Sequence, residues 1–310
     1  SLRVRSNKPL FDVLQAQGCA VESASGGLPA TITGPIDVSP SLTIDGSLSS
    51  QYITALLLIA PMTCPDSGQM INISGDLVSK PYLDITLNEM NKCGVNAHWQ
   101  DEKTIFVEQN QYQSGQRTIE GDATAATYFS ALATLHCGSV TLTNIDQTTH
   151  QGDYEFCTVM EALGATVERS GHTRIVGPAK LSPLQEVNMQ AMPDAALTLI
   201  AMSPLLPGTS TITGLQSLHH KECDRLECPA TELRAMGIDV KTTLDSVTIE
   251  EIDLRKIAPH ILTTYHDHRM AMAFSMLGSC SHALRVDDKA VVNKTYPNYW
   301  LDYSKLTAKL

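Results

Sequence analysis

The stretch YHDHRMAMAF, residues 265–274, sets His266, Asp267, His268 and Arg269 directly before a run of small apolar residues, in a chain where only 18% of residues are charged. Asp267 can cap a helix that starts here, and Arg269 carries the planar fork that grips a carboxylate or phosphate with two bonds. A second cluster, KECDRL over 221–226, packs Lys221, Glu222, Asp224 and Arg225 into five positions. Read as a helix start, it puts Lys221 and Arg225 on one face as a cationic clamp and leaves Glu222 on another, able to handle a proton. An exposed, ion-paired helix start accounts for the same residues. Asp194 follows Pro193 in MPDAALTL, and Ser49 and Ser50 precede QYITALL. All three suit helix caps, and they equally suit a ligand held at a helix mouth. Lys294 stands in NKTYP, where a turn before Pro297 can direct an ammonium inward. Helix starts offer unpaired N–H donors and the positive end of the dipole, so the chemistry implied is the holding of phosphate or carboxylate. Metal chemistry is poorly signalled, because His266 and His268 diverge at i, i+2 on a helix and no third ligand accompanies them.

Such residues need helices to carry them, and the sequence repeats one layout four times. GSLSSQYITALLLIAPM, GDATAATYFSALATLHCGSVTLTNI, MPDAALTLIAMSPLLPGTSTITGL and YHDHRMAMAFSMLGSCSHALRVDD each run from small, hydroxylated or acidic residues into a helix-length apolar run, then a turn and a strand. Their anchors Ser49, Thr124, Asp194 and Asp267 recur roughly every 70 residues, the signature of a structural repeat. A second, amphipathic helix keeps the same rhythm in PLFDVLQAQGCAVE, YLDITLNEMNKCGVNA, EFCTVMEALGATVE and PATELRAMGIDV. Gly18, Gly94, Gly164 and Gly237 then suit the left-handed residue just past a helix end. First helices that are apolar almost all round, such as 52–61, should be buried on every side. Alternating segments such as SVTLTNI and STITGL supply strands, so the expected class is α/β, with buried helices and sheets toward solvent.

At 310 residues with 43% apolar content the chain can build two cores, and the Gln-, Ser- and Gly-rich loop 108–119 is the expected boundary between lobes 1–118 and 119–310. Eight cysteines without a C-x-x-C pair fit reduced, mostly buried thiols and a cytoplasmic setting better than a zinc site or disulfide framework. A formal net charge of −11 argues against nucleic-acid binding, which needs a basic face. No stretch reads as a membrane span or signal peptide.

Together GSLSSQYITALLLIAP, LVSKPYLDITL, GDATAATYF, MPDAALT, KECDRL, YHDHRMAMAFS and NKTYP, in this order, resemble the EPSP synthase family, 3-phosphoshikimate 1-carboxyvinyltransferases. The resemblance implies two lobes built from inverse α/β units, the first lobe incomplete here, with no metal or organic cofactor. It assigns shikimate 3-phosphate to Ser49, Ser50, Gln51, Ser79, Tyr82, Asp194 and Lys221. Phosphoenolpyruvate falls to Gln51, Arg225, Arg269 and Lys294, with His268 nearby. Glu222 and Asp194 match the residues that transfer protons, with Lys221 beside them among the catalytic residues. The partners implied are these two small molecules alone, with no nucleic acid or membrane and the chain acting as a monomer. Rivals are the related UDP-N-acetylglucosamine enolpyruvyl transferase, whose loop cysteine has no counterpart here, and an RNA 3′-phosphate cyclase. A non-catalytic fragment that binds shikimate 3-phosphate is a further alternative.

Departures from the family pattern set further expectations. The chain opens in mid-repeat and lacks the family's Lys-Ser motif and its Gly-Asn-Ala-Gly-Thr loop. It is therefore expected to be truncated at its N-terminus and, on its own, inactive or nearly so. Arg3 or Arg5 stands near a phosphoenolpyruvate-binding arginine of the family. His266 and Ser217 replace common asparagines, and Cys223 replaces a threonine or serine, changes expected to affect affinity more than reaction type.

Overall fold

The computed structural model describes residues 6–34, 39–77, 79–281 and 284–308, and divides into two units, Ser1–Thr118 and Ile119–Leu310. Arg3 and Arg5 lie outside the described residues.

The first unit opens with α1 (Lys8–Ala16) and the antiparallel pair β1 (Ala20–Ser23) and β2 (Ala30–Thr33). A complete βαβαββ module follows: β3 (Ser41–Asp45), α2 (Ser50–Thr63), β4 (Gln69–Ser74), α3 (Lys80–Lys92), β5 (Ala97–Trp99) and β6 (Thr104–Val107). Its sheet runs β3-β4-β6-β5, with β3 parallel to β4 and the other pairs antiparallel. Alternation along β3 and β4 turns Leu42, Ile44, Ile71 and Ile73 onto the helices, where Ile53, Leu57 and Leu83 are fully covered. Each such side chain contributes roughly 1.5–3 kcal/mol by leaving water.

The second unit begins with α4 (Ala123–Leu135), β7 (Ser139–Leu142), α5 (Phe156–Ala162), β8 (Thr166–Arg169) and β9 (Thr173–Val176), the strands ordered β7-β9-β8. The next module, β10 (Gln185–Asn188), α6 (Pro193–Met202), β11 (Thr209–Thr213), α7 (Glu227–Ala235), β12 (Val240–Thr242) and β13 (Ser246–Glu250), repeats the topology of the first unit's sheet in the order β10-β11-β13-β12. Again the first pair alone is parallel, with Val187 opposite Ile212 as Leu42 is opposite Ile71. The chain ends with β14 (His260–Leu262) parallel to β15 (Leu284–Val286), the two joined through α8 (His268–Cys280), and with α9 (Tyr299–Thr307).

The four glycines end the second helices as their chemistry predicts. Gly18, Gly94, Gly164 and Gly237 take φ of 85°, 83°, 101° and 89°, in the left-handed region that costs a glycine nothing. The residue after each donates back to the carbonyl five residues earlier: Cys19 to Leu14, Val95 to Met90, Ala165 to Met160 and Ile238 to Leu233. One Schellman ending thus closes α1, α3, α5 and α7.

The apolar first helices differ between units. In the second unit α4, α6 and α8 pack on one another, and from Ala195 to Met202 every residue of α6 is 0% exposed. Complete burial extends to the polar Thr198, whose hydroxyl meets that of Thr127 at 2.8 Å. In the first unit α2 departs from the expected all-round burial, since Leu58 is 45% and Met62 62% exposed. It packs on α3 and α1 along one side, and that side alone is covered. The cysteines also depart in part from expectation: all eight are unpaired, but only Cys19, Cys64 and Cys157 are buried, and Cys137 is exposed.

Candidate active site

In the second unit the starts of α6 and α8 and the segment leading into α7 meet around one guanidinium. Arg225 is 2% exposed and donates from Nε to Asp267 at 2.7 Å, from Nη1 to Asp194 at 2.8 Å and from Nη2 to Glu222 and to Asp267. A buried charge is tolerable only when paired and hydrogen-bonded, and three carboxylates meet that demand here. Asp194 also receives Arg269 Nη2 at 3.1 Å and lies 3.3 Å from Lys221 Nζ, while Lys294 Nζ pairs with Glu222. Four cations and three carboxylates therefore interlock, the carboxylates bridging the cations.

Local chemistry explains each placement. Asp267 is extended, accepts the Arg269 N–H at 2.9 Å and so caps α8. Pro193 starts α6, putting Asp194 in the first turn. Its carboxylate accepts from Arg225 and Arg269. The 221–226 segment corrects an expectation: it is not helical, and Lys221 and Arg225 do not share a helix face. Asp224 is the cause. Its Oδ1 accepts the N–H groups of Leu226 and Glu227 at 3.0 and 2.9 Å and its Oδ2 meets His219 Nδ1 at 2.8 Å, which delays the helix to Glu227. At the equivalent position in α4 the cap is Asp122 rather than Thr124, whose hydroxyl donates to the buried Asp153.

The charges shift one another. Burial alone would raise the Asp194 carboxyl, but Arg269, Lys221 and Arg225 outweigh it and hold the group far below the usual carboxylate range. Burial likewise opposes ionisation of Glu222, yet the Lys294 hydrogen bond and Arg225 bring it down to about 2. Both are carboxylates at neutral pH. His268 is 3% exposed, and burial followed by the charge of Arg269 lowers it to about 4, so its imidazole is neutral. Neither of its ring nitrogens has a hydrogen-bond partner among the described residues, nor has Arg269 Nε. Unmet donors and acceptors beside exposed Lys294 and half-buried Lys221 describe a place where an anion could complete the bonding.

Two neighbours were not singled out in the sequence. The Tyr128 hydroxyl of α4 is buried beside Arg269 and is pushed up to about 12 by burial, which the Arg269 charge and hydrogen bond offset in part. Asp153, raised to about 6 by burial despite its bond from Thr124, feels both Asp194 and Arg269. Their spacing from the charged residues carries no local pattern, so only the packing of α4 on α6 and α8 brings them in.

In the first unit Ser49 caps α2, its Oγ accepting the Gln51 N–H at 3.2 Å. Ser50 is buried and Gln51 exposed. Ser79 precedes α3 in the left-handed region at φ 59° and makes no side-chain cap bond, and Tyr82 is 38% exposed one turn on. A bond between the Thr54 and Thr86 hydroxyls, 3.2 Å, ties α2 to α3 within two turns of both starts. The structure thus gathers Ser49, Ser50 and Gln51 with Ser79 and Tyr82 on neighbouring helices of one unit, and Asp194, Lys221, Glu222, Arg225, His268, Arg269 and Lys294 in the other. Among the described residues no group of His, Cys, Asp or Glu could hold a metal ion, and no helix is long and apolar enough to cross a membrane.

Known proteins show the family to which the chain is similar. The family profile of EPSP synthase (3-phosphoshikimate 1-carboxyvinyltransferase) matches residues 1–302. A 3-phosphoshikimate 1-carboxyvinyltransferase of Buchnera aphidicola subsp. Schizaphis graminum is 35% identical over 301 residues, covering 96% of this chain and 69% of the relative. One of Photobacterium damsela subsp. piscicida is 39% identical over 269 residues, covering 86% and 62%. The chain therefore spans about two thirds of the length of these relatives. Among solved structures, EPSP synthase of Acinetobacter baumannii superposes with a TM-score of 0.77 at 21% identity, covering 99% of this chain and 72% of that one. The enolpyruvyl transferase NikO of Streptomyces tendae shares the fold, with a TM-score of 0.72 at 17% identity and coverage of 97% and 71%.

Proposed function

Since the chain belongs to the EPSP synthase family, we propose that it serves carboxyvinyl transfer from phosphoenolpyruvate to the 5-hydroxyl of shikimate 3-phosphate, and we assign roles in that reaction to its residues. The observation that carries the assignment is the cation network of Lys221, Arg225, Arg269 and Lys294 threaded by Asp194 and Glu222. Fixed cations of this kind hold phosphate and carboxylate without reorganising as charge moves.

Lys294 and Arg269, with Arg225 behind them and His268 beside, take the phosphate and carboxylate of phosphoenolpyruvate. Asp194 and Lys221 bear on shikimate 3-phosphate in the second unit, and Ser49, Ser50, Gln51, Ser79 and Tyr82 form a separate candidate set for the same substrate class in the first. Asp194, fully ionised, accepts the proton of the 5-hydroxyl as that oxygen bonds to C2 of phosphoenolpyruvate. Glu222 delivers a proton to the methylene carbon. In the free protein Glu222 is a carboxylate because Lys294 and Arg225 face it. An anion that draws those cations onto itself lets the carboxyl recover a proton, which equips it as the acid. The resulting tetrahedral adduct loses a methyl proton back to Glu222 as the C–O bond to phosphate breaks, leaving the enol ether and inorganic phosphate. Removing such an acid or base costs on the order of 100-fold or more.

The test is phosphate release with both substrates, run beside calorimetry of each. Because the chain alone is expected to be inactive or nearly so, turnover is read with the N-terminal segment of a family relative supplied: Glu222→Gln and Asp194→Asn should then lower it at least a hundredfold while shikimate 3-phosphate still binds, and turnover within a few fold of the parent overturns the assignment. We further read the protein as a cytoplasmic monomer without metal or organic cofactor. Its unpaired thiols and acidic balance support that reading, and sedimentation of the purified chain checks the monomer.

A further inference from the structure

Outside the cation network one buried carboxylate has three donors from a single loop. Glu232, on α7 and 4% exposed, accepts His260 Nε2 at 2.6 Å and the Thr263 N–H at 3.1 Å on Oε2, and the Tyr265 hydroxyl at 2.7 Å on Oε1. These donors span the path from β14 to the start of α8. Two residues of that path, Tyr265 and His266, sit in the left-handed region at φ 52° and 57°, although neither is glycine. Consecutive residues there cost on the order of 1 kcal/mol or more each and persist only when neighbours impose them. The Thr264 N–H is held by Asp287 at 3.0 Å, and the Asp267 N–H returns to the Thr264 carbonyl at 2.8 Å. Immediately after the left-handed pair come Asp267, His268 and Arg269. Glu232 itself stands on the helix entered from Lys221, Glu222 and Arg225.

We propose that Glu232 is a positioning residue for carboxyvinyl transfer: through Tyr265, Thr263 and His260 it imposes the left-handed turn that sets Asp267, His268 and Arg269 against Arg225 and Glu222. The proposal rests on the reading of the site given above. The carboxylate touches no substrate; it locks the α8 start to α7. Without it the turn relaxes toward right-handed backbone, the α8 cap rotates and Arg269 leaves its bridge to Asp194. Binding of the phosphoenolpyruvate anion therefore weakens more than the chemical step does.

The experiment compares Glu232→Ala, Glu232→Gln, Tyr265→Phe and the Glu232→Ala/Tyr265→Phe double variant. A control, Val247→Ala, lies in β13 and destabilises the core without touching the loop. Phosphoenolpyruvate affinity is read by calorimetry, KM and kcat by phosphate release, and the ring resonances of His268 by NMR. Glu232→Ala should raise KM for phosphoenolpyruvate at least tenfold with kcat within about threefold, and should move the His268 resonances. Tyr265→Phe should act in the same direction more weakly, and the double variant no further than Glu232→Ala. Glu232→Gln, which keeps an acceptor for Tyr265, should recover part of the loss. The control should lower Tm while leaving KM and the His268 signals alone. Glu232→Ala matching the control on all three readouts overturns the proposal, as does strict additivity in the double variant. If Glu232→Ala does not fold, Tyr265→Phe decides by the same criteria. Absence of phosphate release from the parent agrees with the inactivity expected of this chain on its own; phosphoenolpyruvate calorimetry and the His268 resonances then decide by the same criteria.

Discussion

Replacing Asp267 by alanine should be among the most costly single changes in the second unit, and its two components can be separated. The side chain is 0% exposed; it caps α8 through the Arg269 N–H and pairs with the buried Arg225. Loss of a cap costs about 1 kcal/mol. Removing one partner from a buried ion pair costs roughly 3–5 kcal/mol, and because Arg225 keeps Asp194 and Glu222 the lower end applies, about 3 kcal/mol. Asp267→Ala should therefore lose about 4 kcal/mol, a large share of the roughly 5–15 kcal/mol that holds a domain together. Asp267→Asn keeps a good cap and gives up only the charge, so it should lose about 1 kcal/mol less. The assay is urea unfolding in a Trp99→Phe background, which leaves Trp300 as the single tryptophan and makes fluorescence report the second unit alone. A loss below about 1 kcal/mol for Asp267→Ala would refute the claim that Arg225 depends on this carboxylate. Equal losses for alanine and asparagine would show instead that the cap contributes nothing.

Glu222 gives a pH prediction. Its carboxyl stands at about 2 in the folded chain. The unfolded value is about 4.3, so the ion pair's contribution is fully present above that pH and is lost as pH falls toward 2. The stability gap between the parent and Glu222→Gln, measured by urea unfolding from pH 6 to 2.5, should shrink steadily below pH 4.5; a constant gap contradicts the pairing. Two glycines separate backbone strain from crowding. A Cβ at Gly237 meets nothing within 4 Å, so Gly237→Ala should cost only the left-handed strain, about 1 kcal/mol. A Cβ at Gly177 would lie 2.2 Å from the Ala133 carbonyl oxygen at the end of α4, so Gly177→Ala should cost about 3 kcal/mol. The reverse ranking by the same unfolding assay would mean that α4 yields easily at its end.

What could be read from the sequence follows the range of each interaction. Helix endings are local: the glycine, its positive φ and the back-bond from the next residue lie within six positions, and all four occur where the repeat placed them. The clustering of ionisable groups at the α8 start is equally local, since Asp267, His268 and Arg269 adjoin. The pairing of Arg225 is local only for Glu222, three positions before it; Asp194 and Asp267 stand 31 and 42 positions away and are brought close by the packing of α6 on α8 and α7. The same distance hid Glu232, which meets Tyr265 across 33 positions. The misread helix at 221–226 was a local matter that offered a signal. Asp224 followed three residues later by Glu227 is the acid-first pattern of a helix start, and it places the first turn after Asp224 rather than at Lys221. Burial of α2 failed for a reason of quantity: an apolar helix is covered only as far as neighbours exist, and the described first unit holds no counterparts of the α4, α6 and α8 trio around Leu58 and Met62.

Four hydrogen bonds already occupy Arg225 before any ligand arrives. These bonds use four of the five N–H donors, so a newcomer that grips the guanidinium with two bonds must displace an acid that is in place. Recognition there is a trade of one negative partner for another, governed by the small difference between two large attractions. Such a trade leaves the net charge around the guanidinium almost unchanged, so dissolved salt, which screens long-range attraction, has little hold on it. Selectivity then rests on shape and on how many oxygens the incoming group presents at once, a finer criterion than charge.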